Sequence, residues 1–95
     1  MRVEVALTQL KQVRLIIAFP HDSWVRPGAG DELIGRLPPY LPPLPIMLVS
    51  EGAYPRAYAP FQTEEFLRLL PTVQLQRFEV DLSRPPEEEE DDLPF

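Results

Sequence analysis

The sequence predicts an α+β domain built on a mostly antiparallel five-stranded sheet, and three observations carry that reading. Apolar residues alternate with period two in several short runs, as half-buried strands require. One run, "IMLVS", is apolar throughout and fits a strand covered on both faces. Two short stretches with apolar residues at helical spacing, "DELIGRL" and "TEEFLRLL", interrupt the strands, and prolines follow both.

The elements follow in order. Residues 2–8, "RVEVALT", place Val3, Val5 and Leu7 on one side; residues 12–19, "QVRLIIAF", do the same for Val13, Leu15, Ile17 and Phe19. The link "TQLK" has no Gly, Asn, Asp or Pro, so a tight hairpin is poorly signalled and one long bent strand stays open. Residues 20–30 read as loop. A short helix follows over residues 31–37, with Asp31 as its cap and Leu33, Ile34 and Leu37 as its apolar stripe. "PPYLPPLP" lacks too many donor N–H groups for a helix or an inner strand. It is expected to run extended and wall the core, although Pro39 and Pro42 also match a spacing that aromatic grooves bind. "IMLVS" is the inner strand. "AYPRAYA" is an edge strand, because Pro55 cannot donate to a ladder. The main helix spans residues 63–70, with Thr63 as cap and Glu64 and Glu65 at its positive end. "VQLQRFEVDL" is the last strand; its apolar parity changes, so a bulge near Arg77 is expected. An OB-type barrel also has five strands and one helix and is the alternative, but there the helix falls between strands three and four.

At 95 residues the chain fits one domain. Residues 1–82 are expected to be globular and residues 83–95 a disordered acidic tail. Six acids against Arg84 give the tail −5 of the chain's −6, leaving the body at −1. There is no cysteine, so disulfides and thiolate metal sites are excluded and a reducing cytoplasm is the expected setting. Charges interrupt the first 19 residues, arguing against a signal peptide and a membrane span. Thirteen prolines and no Asn fit a thermophile or a GC-rich genome.

No catalytic constellation stands out, and no enzyme, cofactor or metal is expected. "HDSW" holds the residue types of a hydrolase triad, but sequence neighbours point apart, so a polar turn is the better reading. His21 is the lone histidine. "GAGDELIG" lacks the phosphate-loop patterns, and Asp31 and Glu32 would repel an anion. "YPRAYAPF" interleaves Tyr54, Arg56, Tyr58 and Phe61, the types that bind single-stranded nucleic acid by stacking and phosphate contact; the competing reading packs these rings into the core. Trp24, Arg14 and Arg26 are further candidates for that surface.

The chain closes on "EEEEDDLPF". Acids followed by Leu93, Pro94 and Phe95 resemble the C-terminal tip of bacterial single-stranded-DNA-binding proteins, over about nine residues. The resemblance implies a docking peptide for repair and replication proteins: Phe95 is the anchor, with its carboxylate on a basic side chain, Leu93 and Pro94 are the second contact, and Asp91 and Asp92 supply steering charge. Leu93 stands where that family more often has Ile, and the long linker and OB motifs of the family are missing here. The expected function is thus a non-enzymatic DNA-maintenance protein, binding single-stranded DNA by its body and partners by its tail. The alternatives are an adaptor or mimic of that tail, and a small structural protein whose acids only solubilise. At this size a homo-oligomer would be no surprise.

Overall fold

A computed structural model describes residues 1–52 and 54–85. Its order is β1 (Arg2–Leu10), β2 (Val13–Phe19), α1 (Ala29–Arg36), β3 (Ile46–Ser50), β4 (Arg56–Tyr58), α2 (Glu64–Leu69) and β5 (Arg77–Asp81). The five strands form one open sheet in the order β4-β3-β2-β1-β5. Three pairings are antiparallel. The fourth, β2 with β3, is parallel, with α1 in the crossover. The fold is therefore α+β, as the patterning predicts.

Alternation decides which layer each side chain joins. Val3, Val5, Ile16, Ala18, Ile46, Leu48 and Val80 face Leu33 of α1 and Leu37 just after it. Leu10, Leu15, Ile17, Met47 and Val49 face the other way, where Phe66, Leu67 and Leu70 cover them. A strand clad on both faces must be apolar at every position, which is why Ile46 through Val49 are all buried. Each such side chain stabilises the fold by about 1.5–3 kcal/mol relative to exposure.

β1 and β2 do form a hairpin, with Leu10 paired to Val13 across Lys11 and Gln12. Both turn residues have positive φ, 50° and 66°. Two-residue hairpins need that geometry, and Gly or Asn usually supplies it. Here the flanking ladders β5–β1 and β2–β3 hold the strands, and Lys11 Nζ meets Glu65 of α2 at 2.6 Å.

Other expectations shift by a few residues. α1 begins at Ala29, so Asp31 is not its cap; it sits in the first turn and accepts the Gly28 N–H at 3.1 Å. Thr63 does occupy the cap position of α2, but its side chain makes no capping hydrogen bond. Pro38–Tyr40 folds as one 3-10 turn, possible because proline is tolerated in a first turn; Tyr40, Leu41 and Leu44 then wall the core as expected. The last strand has no bulge. Residues 73–76 precede β5 without joining it, and that accounts for the parity change. β4 lies at the edge, as Pro55 requires. Ser83 and Arg84, assigned to the tail, are tied to the body: Ser83 donates from backbone and hydroxyl to Asp81, and the Arg84 carbonyl accepts the Tyr40 hydroxyl. The rest of the expected tail, with Asp91, Asp92, Leu93, Pro94 and Phe95, lies outside the described residues.

Candidate functional site

β4 delivers the aromatic–arginine stretch. Arg56 and Tyr58 share the α1 side of the sheet, two residues apart, while Ala57 packs toward α2. Arg56 is exposed and its guanidinium donates to the Asp22 carbonyl at 3.3 Å. Tyr54 is 87% exposed. Tyr58 is half-buried against the α1-side core, and its hydroxyl donates to Asp31 Oδ1 at 2.7 Å.

The Tyr58 ring has its place because Gly30 has no side chain. A Cβ at Gly30 would stand 2.6 Å from Tyr58 Cδ2 and 2.9 Å from the Trp24 carbonyl oxygen. The glycine is thus a seat for the ring. The Tyr58 hydroxyl, and then the Gly28 N–H, hold the Asp31 carboxyl below its ordinary range; the same hydrogen bond raises the Tyr58 hydroxyl. A depressed carboxyl stabilises the fold above its unfolded pKa of about 3.9, and this is lost as pH falls through the lower folded value.

Phe61 goes elsewhere. It packs on the α2 side, edge-on to Phe66 with centroids 6.0 Å apart. The chain leaves β4 at Ala59-Pro60, so strand alternation no longer governs it. The four candidates therefore do not share one surface: Tyr54 and Arg56 are exposed, Tyr58 is seated on α1, and Phe61 lies across the sheet. Trp24 is half-buried in the α1-side core, while Arg14 and Arg26 are exposed.

The "HDSW" stretch is a capped 3-10 turn. The Ser23 N–H and hydroxyl converge on His21 Nδ1 at 3.1 and 3.0 Å. Asp22 bonds the buried hydroxyl of Ser50 instead of His21, so the three do not form a relay. Among the described residues no group of three or more His, Asp or Glu is placed to hold a metal ion, and no helix is long and apolar enough to cross a membrane.

Sequence reasoning missed one site. A cleft of about 410 Å³ opens between the sheet and α2, lined by Phe19, Val49, Leu67, Leu70, Val73 and Leu75. Arg77 stands at its mouth, 3.8 Å over the Phe19 ring, and is paired with Glu51 and Glu4. The Arg77 guanidinium holds the Glu51 carboxyl low. The parity change at residues 73–76 was the available signal, since Val73 and Leu75 turn inward there without pairing.

No family model, no curated protein and no solved structure matches this chain.

Proposed function

We propose that this protein is a non-enzymatic recruiter in DNA maintenance, working in the cytoplasm, whose small body carries a docking tail for repair or replication proteins. The observation that carries this reading is Leu93, Pro94 and Phe95 after six consecutive acids. An aromatic anchor gives affinity, and the acids speed encounter with a basic rim. The division of Tyr58 and Phe61 between opposite layers supports tail docking over a broad nucleic-acid surface on the body.

The test is titration of a labelled peptide of residues 85–95 against a repair protein known to bind the tip of a single-stranded-DNA-binding protein, with that tip as competitor. Phe95→Ala is expected to weaken binding by about 2 kcal/mol, or roughly 30-fold. Amidating the terminal carboxylate should weaken it as well, whereas Glu87→Gln with Glu88→Gln should chiefly slow association at low salt. A peptide that fails to bind, or binds equally well with Phe95→Ala, removes the reading.

The exposure of Tyr54 beside Arg56 favours a second activity, contact with single-stranded DNA at the β4 edge. One stacked base is worth about 1–3 kcal/mol. Tyr54→Ala should thus weaken oligo-dT binding by the full chain, and binding should fall with added salt. Negligible binding at low salt, or binding indifferent to Tyr54→Ala, excludes it.

A further inference from the structure

The two edges of the sheet are not alike. β4 has three residues and Pro55 before it. β5 has five residues, "RFEVD", with no proline, no lysine and no bulge, and its three charges are of mixed sign, so a second copy in the right register does not meet like charges.

The direction of its free backbone groups follows from the ladder. The Leu82 N–H bonds the Met1 carbonyl at 2.8 Å. Hydrogen-bonded pairs alternate in antiparallel ladders, so Val80 with Val3 and Phe78 with Val5 are the next such pairs. Arg77, Glu79 and Asp81 consequently turn their N–H and C=O outward. The Asp81 carbonyl is already taken by the Arg84 N–H at 3.3 Å, which leaves Arg77 and Glu79 with both groups unpartnered among the described residues.

Side chains point to the same place. Phe78 is 44% exposed on the α1 side of β5, and Leu7, on that side of β1, is 46% exposed. α1 and the proline segment bury Val3, Val5, Val80 and Leu82 but stop short of these two.

We infer that β5 is the contact between two copies of this chain, which pair edge to edge, antiparallel, with Phe78 on the twofold axis. Charge selects that register. Centring on Glu79 sets Glu79 against Glu79 of the second copy, and centring on Val80 sets Glu79 against Asp81; like charges directly opposed are destabilising. Centring on Phe78 sets Arg77 against Glu79 twice over. It uses only the two residues whose backbone groups are both open. It also puts the two Phe78 side chains in a non-hydrogen-bonded pair, where Cα atoms come within about 4.5 Å. The contact is isologous, so it closes at two copies.

The chain has no cysteine, so single cysteines report the register cleanly. Phe78→Cys, Glu79→Cys and Val80→Cys are made in the full chain and oxidised mildly, beside sedimentation equilibrium of the unaltered protein. The unaltered protein should show a species of twice the 10.9 kDa chain, and Phe78→Cys should cross-link to that mass far faster than the other two, since only position 78 then faces itself at disulfide distance. Glu79→Pro removes one outward N–H and no bond to β1. It should sediment as a folded monomer with an unaltered circular dichroism spectrum. A protein that stays monomeric at millimolar concentration, cross-linking that is fastest at position 79 or 80, or a Glu79→Pro variant that still dimerises each overturns the proposal.

Discussion

Leu33→Ala is expected to cost about 2–5 kcal/mol, a large share of the roughly 5–15 kcal/mol that holds a domain together. Leu33 is fully buried and, with Leu37, anchors α1 to the sheet. α1 is only eight residues long, too short to persist without packing. The site is bounded by β-strand side chains such as Val5, Ile16 and Leu48, which a ladder holds in place, so the cavity cannot readily collapse. Chemical denaturation should show a markedly lower midpoint with little change in slope. Ile34→Ala, one position along and half-buried, should lose distinctly less. Equal, small losses for both would mean that α1 is not packed as described.

Gly30→Ala should also destabilise, by about 1–3 kcal/mol, against the usual gain of up to ~1 kcal/mol for replacing a helical glycine. The new methyl meets the Tyr58 ring at 2.6 Å and a backbone oxygen at 2.9 Å. The ring can swing only by giving up Asp31, and the Trp24 carbonyl cannot swing at all. Gly35→Ala in the same helix meets nothing within 4 Å and should be neutral or stabilising. Opposite signs in one helix, read by thermal melting, separate steric seating from helix propensity; a stabilising Gly30→Ala would contradict the seat.

Much of the sheet was legible because burial imposes simple patterns. The unbroken run at Ile46–Val49 marked a strand clad on both sides, and Pro55 marked an edge. The hairpin was not legible, because Lys11 and Gln12 carry no turn signature and take positive φ only under the hold of neighbouring strands. Nor was the parallel pairing of β2 with β3, since alternation reports faces and not direction. At the candidate site, Arg56 and Tyr58 lie two residues apart in β4 and so share a side, as strand alternation requires. Phe61 could not be placed, because Pro60 breaks the alternation the argument needed. Gly30 read as loop punctuation; its role depends on a ring 28 residues away, which no local pattern encodes.

β1 lies between the strand that follows it directly and the strand that comes last, β5. The two pairings differ greatly in the loop that must close, from two residues to nearly the length of the body. During synthesis the hairpin can therefore form early, within microseconds once both strands are free of the ribosome. The outer edge of β1, with Val3 and Val5 beside it, must then wait unpaired until residues 77–81 emerge some three to twelve seconds later at ordinary elongation rates of about 5–20 residues per second. Throughout that interval the nascent chain carries an open strand edge, and it is there that a holding chaperone would act.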